Sequence, residues 1–317
     1  MGIKILGTGA YVPERILTND DLAQMVDTSD EWIVQRVGVR ERHISVDETA
    51  ADMGVKAAQK ALEAAGTAAE ELDLIVTATC TSDSLCPSAA ALIQRGIGAS
   101  CPAFDVNSAC SGFLFALETA AALLEKNKLR RVLVLGAEHL TRAVDWTDRS
   151  TCVIFGDGAG AMVITEGSSN LASRLFTQGG DSVLSIPAGK SNSPFYTAET
   201  PAYRIYMNGQ ETFKFAVRRM AEDLQLLCEQ AGITTDELDY IVPHQANTRI
   251  IDLTARRLGI PMEKFVLNID KYGNTSSASV PISFDELVRS GKLKAGDKIA
   301  MCAFGGGLSS AGFIIEW

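Results

Sequence analysis

The 317-residue chain lacks several features that would assign it at once to a large class of proteins. No apolar run approaches the roughly 18 residues that a membrane-spanning helix needs, and no signal-peptide core stands at the N-terminus. The seven cysteines show neither CxxC spacing nor clustering with histidine, which argues against a disulfide framework and a metal site. With a net charge of −10 and a pI near 4.9, nucleic acid is a poor partner. We therefore expect a cytoplasmic protein that binds neither membranes nor nucleic acid.

Two glycine-rich stretches also fall short of a phosphate-binding motif. Gly7-Thr8-Gly9 ends a predicted strand but lacks the third glycine of a dinucleotide fingerprint. Gly156-Asp157-Gly158-Ala159-Gly160 leads into a second strand-like run instead of a helix. Both stretches therefore indicate tight packing of strands.

Cys110 lies at the most distinctive break in the chain. The apolar run that begins at Phe104 ends in small residues, and apolar positions then recur at helical spacing from Phe113, so the stretch predicts strand, tight turn and helix. A thiol in the first turn of a helix faces unpaired N–H groups and the positive end of the helix dipole, so we expect its pKa to fall below the usual value of about 8.5. Five further cysteines lie in or beside apolar runs and are interpreted as core residues: Cys80, Cys101, Cys152, Cys228 and Cys302.

The second half of the chain is a remote copy of the first. Ala65-Gly66 and Glu71-Leu72-Asp73 return 166 positions later as Ala231-Gly232 and Glu237-Leu238-Asp239. A slightly smaller shift lays the Cys110 loop over residues 265–276. Such a long repeat predicts an α/β fold of two similar halves, residues 1–170 and 171–317, that pack about a pseudo-twofold axis. The Gly- and Ser-rich crossover, residues 167–208, is expected to cap a pocket.

Polar side chains at strand ends identify a candidate site. His244 follows the apolar run that ends at Pro243, and Asn274 lies in the repeat's counterpart of the Cys110 loop. Strand ends meet at one edge in α/β sheets, so we expect Cys110, His244 and Asn274 to converge on one tunnel. His43 and His139, which lack this placement, are interpreted as structural.

One predicted helix carries an aromatic residue and a cation on the same face. Thr28 and Glu31 have capping-box spacing, and Trp32 and Arg36 follow one turn apart. Two interpretations of Trp32 and Arg36 remain equally open: they form a stacked pair in the core, or they bind a ligand.

Four motifs resemble one enzyme family. They surround Cys110 (Asp105 to Gly112), His244 (Val242 to Asn247), Asn274 (Gly273 to Ser276) and a glycine loop (Ala303 to Gly307). In this order they resemble β-ketoacyl-acyl carrier protein synthase III. The resemblance covers essentially the whole chain and implies the duplicated thiolase-like fold, layered α-β-α-β-α, in a homodimer.

The resemblance also implies a two-step reaction without a metal or redox cofactor. Cys110 would take the acyl group of an acyl-coenzyme A, with the backbone N–H groups of Cys110 and Gly306 holding the oxyanion. Malonyl-acyl carrier protein would then lose CO₂, and His244 Nε2–H and the Asn274 amide would hold the enolate that attacks the acyl-enzyme.

Further residues take roles by the same resemblance. Trp32, Arg36 and Arg149 would hold the nucleotide end of coenzyme A, while Cys86 and Phe304 occupy positions that gate the acyl pocket. Because Cys86 stands where many members have a bulky aromatic residue, we expect longer or branched starters to fit. The acidic carrier protein needs a basic surface, for which the candidates are Arg249 near the tunnel mouth, Lys214 and Arg218 on one helix, and Arg256 and Arg257 on another.

Three other functions stay open at this point. A related acyltransferase would pass the acyl group to another nucleophile without decarboxylation. A thiol hydrolase or protease could also use cysteine and histidine, although the duplicated pattern and the residues around Cys110 do not favour one. An acyl-coenzyme A binding protein would show no acylation of Cys110.

Overall fold

The computed structural model describes residues 2–189, 193–199 and 201–317. Residues 190–192 and 200 of the predicted crossover lie outside the described residues. None of the helices in the described part is long and apolar enough to cross a membrane.

The first half of the chain folds into a five-stranded sheet with helices on both faces. Its elements are β1 (Gly2–Tyr11), β2 (Ile16–Thr18), α1 (Asn19–Ala23), α2 (Asp30–Arg36), β3 (Glu41–His43), α3 (Ala50–Ala65), β4 (Leu74–Ala78), α4 (Ala89–Ile97), β5 (Ala103–Val106), α5 (Gly112–Asn127), β6 (Val132–Glu138), α6 (Arg149–Cys152) and β7 (Gly158–Gly167). The sheet has the order β1-β7-β6-β4-β5.

The second half repeats this plan with one regular strand fewer. Its elements are β8 (Asn170–Thr177), β9 (Leu184–Ser185), β10 (Tyr206–Met207), α7 (Gly209–Ala231), β11 (Tyr240–Pro243), α8 (Thr248–Leu258), α9 (Ile269–Tyr272), α10 (Ser279–Arg289), β12 (Lys298–Gly305) and β13 (Ser309–Glu316). The order β8-β13-β12-β11 matches β1-β7-β6-β4 strand for strand. In place of β5, Phe265 alone bridges to Ile241 of β11.

Helices α5 and α10 form the central layer between the two sheets. One buried cluster joins Phe113 and Leu117 of α5 and Phe284 of α10 to β-strand residues of both sheets, including Val134 and Met301. Helices α3 and α4 cover the other face of the first sheet, and α7 and α8 cover that of the second. The expected α-β-α-β-α layering is therefore confirmed. The strands of the first sheet all end before residue 170, and those of the second sheet begin at or after it. The division of the chain into two domains at this residue stays a prediction.

Local sequence signals set several boundaries. Helix α3 ends at Ala65 because Gly66 adopts the left-handed conformation, with φ of 57°. The stretch after Gly156 is tightly packed, but against helices instead of strands: a Cβ on Gly156 would lie 2.3 Å from the carbonyl oxygen of Tyr272 in α9, and one on Gly160 2.7 Å from the Cβ of Pro281 in α10. The predicted capping box at Thr28 is wrong. Ser29 caps α2 instead, because its extended backbone lets its Oγ accept the Trp32 N–H at 3.2 Å.

The repeat offset needs one correction. The smaller shift holds for Phe265, which pairs with Ile241 as Ala103 pairs with Ile75. It is wrong for the following loop, because α9 is inserted and Ser276 becomes the counterpart of Ala109, 167 positions earlier. These two residues have almost the same left-handed backbone, with φ of 49° and 46°.

The crossover contains more regular structure than its composition indicates. β8 is an edge strand of the second sheet, and β9 and β10 pair with each other. Leu184, Ile186, Ile205 and Met207 of this segment line the cavities described below. The described part of the crossover thus caps a pocket, as expected.

Candidate active site

The loop between β5 and α5 holds Cys110 in a 3₁₀ turn, Ala109–Ser111. Asn107 Oδ1 accepts the Ala109 N–H at 3.2 Å, and the Ser111 hydroxyl donates to the Ser108 carbonyl at 2.9 Å. Gly305 packs directly on this turn, since a Cβ there would lie 2.6 Å from the Cys110 nitrogen. The turn therefore depends on a residue without a side chain from the far end of the chain.

The Cys110 thiol is held in its protonated form. Only 8% of the residue is exposed, and burial raises the pKa of the thiol to about 12, with the negative charge of Glu138 adding to the effect and the Ser276 hydroxyl opposing it. The expected lowering of the pKa is therefore wrong. Loss of solvation is the largest influence on the thiol, and α5, the helix whose dipole was expected to act, begins only after an intervening 3₁₀ turn.

His244 follows β11 and is fixed by three contacts. Its backbone N–H donates to the Cys302 carbonyl at 2.7 Å, and its Nδ1 lies 2.6 Å from Ser279 Oγ. The Phe304 ring packs edge to face on the imidazole, with 5.3 Å between the ring centroids. Burial lowers the pKa of the imidazole to about 3. The ring is thus neutral at physiological pH.

Asn274 presents a free amide donor. Its backbone N–H donates to the Ile154 carbonyl at 2.9 Å, and its Oδ1 accepts the Ser276 N–H at 2.8 Å. In the described part of the chain, its Nδ2 has no hydrogen-bond partner. The side chain is nevertheless buried, so both N–H groups are available to a molecule in the adjoining cavity.

Cys110, His244 and Asn274 line one cavity of about 190 Å³. Cys110 also lines a second cavity of about 490 Å³, which contains Gly306 and apolar side chains such as Phe115 and Ile205. The structure therefore brings the three predicted side chains together. Cys110 stands at the junction of a small cavity with polar donors and a larger one with apolar walls.

Comparison with known proteins gives this arrangement its family. Residues 104–179 match the family model described as 3-oxoacyl-[acyl-carrier-protein] synthase III, and residues 228–317 match the model of its C-terminal part. The β-ketoacyl-[acyl-carrier-protein] synthase III of Clostridium acetobutylicum is 46% identical over 99% of this chain and 98% of its own length. The crystal structure of the 3-oxoacyl-[acyl-carrier-protein] synthase III of Aquifex aeolicus VF5 is 46% identical, covers 100% of both chains and superposes with a TM-score of 0.92.

The chain belongs to the 3-oxoacyl-[acyl-carrier-protein] synthase III family. It is an acyl-transferring condensing enzyme with the thiolase fold. A solved priming β-ketosynthase from the R1128 polyketide pathway is also similar, with 37% identity, 99% and 96% coverage of the two chains and a TM-score of 0.92.

The condensing-enzyme site contains polar residues that the sequence did not single out. Cys80 was interpreted as a core residue, but it lines the larger cavity, with its sulfur 3.6 Å from Ser276 Oγ. Glu138, the last residue of β6, is fully buried and accepts hydrogen bonds from Thr79, Thr81 and Ser277. Cys80 follows β4 and Glu138 ends β6, so both lie at the end of a buried strand, close to the signal that pointed to His244. The other four cysteines in this group are buried, as expected.

Trp32, Arg36 and Arg149 form a cluster next to the small cavity. The Arg149 and Arg36 guanidinium carbons lie 4.9 Å and 6.0 Å from the Trp32 ring centroid. Asn247, which lines the cavity, donates from Nδ2 to the Arg36 carbonyl at 3.0 Å. Both arginines lie on the surface and Trp32 is half-buried, so the cluster is accessible beside the cavity.

The remaining predicted residues lie at different distances from the site. Phe304 is buried against His244 in the small cavity. The guanidinium carbon of Arg249 lies 5.5 Å from the ring centroid of Phe213, which also lines the small cavity. The exposed Cys86 lines neither cavity among the described residues. The other basic candidates are exposed on α7 and α8: Lys214 pairs with Glu211 and Arg256 with Asp252, while Arg218 and Arg257 lie beside them.

Proposed function

We propose that the chain condenses an acyl-coenzyme A starter with malonyl-acyl carrier protein, giving β-ketoacyl-acyl carrier protein, coenzyme A and CO₂ and initiating fatty acid synthesis. The observation that carries this proposal is the small cavity that Cys110 shares with His244 and Asn274. A nucleophile beside two neutral donors suits acyl transfer followed by formation of an enolate.

The first step transfers the starter to Cys110. The sulfur attacks the thioester carbonyl, the bond to the coenzyme A sulfur breaks, and the thiol proton leaves with coenzyme A. Because the thiol is protonated at rest, a proton acceptor must assist the attack. The backbone N–H groups of Cys110 and Gly306 stabilise the oxyanion, and the apolar walls of the larger cavity receive the acyl chain.

The second step uses the donors of the small cavity. The bond from the malonyl methylene carbon to the carboxylate breaks, and its electron pair forms an enolate on the thioester. His244 Nε2–H and the Asn274 amide stabilise this enolate without protonating it, because a neutral imidazole and an amide are weak acids. The enolate carbon attacks the acyl-enzyme carbonyl, the bond to the Cys110 sulfur breaks, and the released thiolate takes up a proton from water to restore the thiol. Neither acyl transfer nor loss of CO₂ requires a change of oxidation state or a Lewis acid here, so we propose no resident metal or redox cofactor.

The surface around the cavity supplies substrate contacts. Trp32 stacks on the base of coenzyme A, and Arg36 and Arg149 contact its phosphates. Arg249, next to Phe213 at the cavity, receives the acidic carrier protein. The basic side chains Lys214, Arg256 and Arg257 on α7 and α8 widen this contact.

Starter length depends on the residues that end the acyl cavity. Phe304 lines the small cavity beside His244 and not the larger cavity that receives the acyl chain, so its effect on starter length is exerted only at the Cys110 junction. Cys86 is exposed in the single chain, so it gates the acyl pocket only across a homodimer, which we also propose. A small side chain at this position admits longer or branched starters, and turnover confined to acetyl-coenzyme A across a chain-length series would contradict this part of the proposal.

Mass spectrometry of the intact protein tests the proposed function. Incubation with a series of acyl-coenzyme A thioesters is expected to add one acyl group, mapped to Cys110 by peptide analysis. Cys110→Ala should remain unmodified. Cys101→Ala is the matched control, because Cys101 has the same 8% exposure in the same half of the chain, and it should be acylated normally.

Addition of malonyl-acyl carrier protein separates the remaining candidates. Release of CO₂ and a β-ketoacyl product supports condensation. An acyl-enzyme that passes its acyl group on without CO₂ indicates the related acyltransferase, and free acid indicates a hydrolase. No acylation at all leaves only a binding protein.

A further inference from the structure

The two N–H groups assigned to the oxyanion belong to different halves of the chain. Cys110 lies in the 3₁₀ turn before α5, and Gly306 follows β12. Both residues line the larger cavity. Within the described residues neither backbone N–H donates to another group. Both donors are therefore free for a ligand, and the distance between them depends on contacts between the two loops.

The Ser309 hydroxyl contacts both of these loops. Ser309 begins β13 and is fully buried. Its Oγ lies 2.8 Å from the carbonyl oxygen of Gly306, 2.8 Å from Ser111 Oγ and 3.2 Å from the carbonyl oxygen of Ser108. Since Ser108 and Ser111 flank Cys110, one side chain joins the turn of the nucleophile to the glycine loop.

One assignment of the hydroxyl protons gives every group in this contact a partner. Ser309 donates to the Gly306 carbonyl and accepts from the Ser111 hydroxyl. The Ser108 carbonyl still accepts the backbone N–H of Ser111 at 3.2 Å. Because a buried hydroxyl that both donates and accepts has a defined orientation, the link between the loops is rigid.

Gly306 depends on this link because its own backbone imposes little order. It is the middle residue of Gly305-Gly306-Gly307, and glycine lacks the Cβ that restricts the backbone dihedrals of other residues. A hydrogen bond to the Gly306 carbonyl holds the peptide that follows the donor N–H. Ser309 thus restricts the orientation of an N–H that the neighbouring glycines leave free to turn.

An oxyanion forms twice in the reaction, an argument that rests on the proposed function. Acylation and condensation each place a negative oxygen on the carbon bonded to the Cys110 sulfur, and both N–H donors must then lie about 2.7–3.1 Å from that one oxygen. The enolate of decarboxylation is assigned instead to His244 and Asn274, in a cavity whose described lining residues do not include Ser309. Ser309 should therefore affect the two acyl-transfer steps and not decarboxylation.

We propose that Ser309 is a positioning residue that holds the oxyanion donors of Cys110 and Gly306 at a fixed separation across the two halves. Ser309→Ala removes the link and takes this donor from the Gly306 carbonyl. Ser309→Thr keeps a hydroxyl on the same Cβ. Ser111→Ala removes the contact on the other side and leaves the hydrogen bond to Gly306 in place, so it should cause the same changes at a smaller size.

Rates of the half-reactions provide the first test. Acylation is followed by the mass increase on Cys110 over a range of acyl-coenzyme A concentrations. Ser309→Ala should lower the maximal rate by about tenfold or more, because displaced donors bind the oxyanion less well, and should leave the concentration for half-maximal rate nearly unchanged. CO₂ release from malonyl-acyl carrier protein added to the acyl-enzyme should stay near the wild-type rate. Ser309→Thr should restore acylation.

Ser310→Ala is the matched control. Ser310 is the next residue of β13 and is 1% exposed. Its side chain points to the other face of the strand, where its Oγ accepts the Arg219 Nε–H at 3.3 Å. The variant should acylate Cys110 at the wild-type rate.

Infrared spectroscopy of the acyl-enzyme provides a readout that a purely structural role would not change. A carbon-13 label in the acetyl carbonyl separates its stretching band from those of the protein. Hydrogen bonds to the thioester oxygen lower this frequency, so the band of the wild-type protein and of Ser309→Thr should lie below that of the unfolded acyl-enzyme. It should move to higher frequency in Ser309→Ala, and by less in Ser111→Ala.

Four outcomes would overturn the inference: wild-type acylation in Ser309→Ala, acylation in Ser309→Thr as slow as in Ser309→Ala, a loss of CO₂ release as large as the loss of acylation, or the same carbonyl band in Ser309→Ala and wild type. Failure of the wild-type protein to acylate Cys110 would instead contradict the proposed function. Thermal unfolding shows whether each variant is folded. If Ser309→Ala does not fold, a wild-type rate and carbonyl band in Ser111→Ala would overturn the inference.

Discussion

The two halves build the same loop and use it differently. Asn107 Oδ1 accepts the Ala109 N–H in the first half, and Asn274 Oδ1 accepts the Ser276 N–H in the second. Both loops pass through a left-handed residue into a 3₁₀ turn. The repeat provides the backbone of both loops, so a few side chains must decide which one carries the nucleophile.

Those side chains differ at two paired positions. Cys110 corresponds to Ser277, and Gly305 at the end of β12 corresponds to Glu138 at the end of β6. Gly305 leaves space for the Cys110 turn, whereas Glu138 accepts a hydrogen bond from the Ser277 hydroxyl at 2.7 Å. One copy of the loop thus places a thiol at two cavities, and the other joins the two halves through a buried hydrogen bond.

The largest expected effect comes from removing the nucleophile. Cys110→Ala should lower condensation by roughly a thousandfold or more, because the covalent intermediate cannot form. Its unfolding temperature should change little, since the substitution removes one buried sulfur. Activity assays and calorimetry would check both expectations, and residual condensation close to wild type would contradict the assignment of Cys110.

A smaller loss of activity is expected from filling the space beside the turn. A methyl group in Gly305→Ala would lie 2.6 Å from the Cys110 backbone nitrogen. The turn and its oxyanion N–H must then move, and a displacement of this kind can cost about a hundredfold in rate. Gly306→Ala, whose Cβ would have its closest contact at 3.2 Å, should lose less. Equal rates for the two variants would argue against close packing at position 305.

The counterpart loop should respond in stability. Ser277→Ala removes the hydroxyl whose single proton is shared between the buried Glu138 carboxylate at 2.7 Å and the Ala78 carbonyl at 3.0 Å. We expect the free energy of unfolding to fall by about 1–3 kcal/mol, because a buried carboxylate loses a donor. Denaturant unfolding would measure this, with Ser283→Ala as a comparison for loss of an uncharged contact. A Ser277→Ala variant as stable as wild type would show that this bond does not hold the halves together.

The buried imidazole should make stability depend on pH. Burial lowers the pKa of His244 from 6.5 to about 3, so the unfolded chain binds a proton in this range while the folded chain does not. The stabilisation from neutral His244 is complete above pH 6.5 and is lost as the pH falls toward 3, at a slope of about 1.4 kcal/mol per pH unit. His244→Gln should lack this component. Unfolding curves from pH 7.5 to 4.5 that run parallel for the two proteins would contradict a buried, neutral ring.

Sequence patterns predicted the elements whose signals are local. The apolar run from Phe104, the small residues after it and the helical spacing from Phe113 predicted β5, the turn at Cys110 and α5. β8 was missed because an edge strand with mostly half-exposed residues has weak alternation.

The sequence predicted which residues form the candidate site, but it did not predict the protonation state of the thiol. Strand ends and the repeat pointed to Cys110, His244 and Asn274. The raised thiol pKa could not be predicted, because it arises from burial in the folded chain and from the charge of Glu138, which only folding brings near Cys110. The contact between Ser279 and His244 likewise exists only after α10 packs beside β11.

Asn274→Ala provides the most direct test of the claim that one cavity serves both steps. The variant should still gain one acyl group on Cys110 when treated with acetyl-coenzyme A, because its amide is assigned only to the enolate. After malonyl-acyl carrier protein is added, CO₂ release should fall by roughly a hundredfold or more, as expected for loss of a preorganised donor. Normal CO₂ release from this acyl-enzyme, or an acyl group mapped to a residue other than Cys110, would contradict the account.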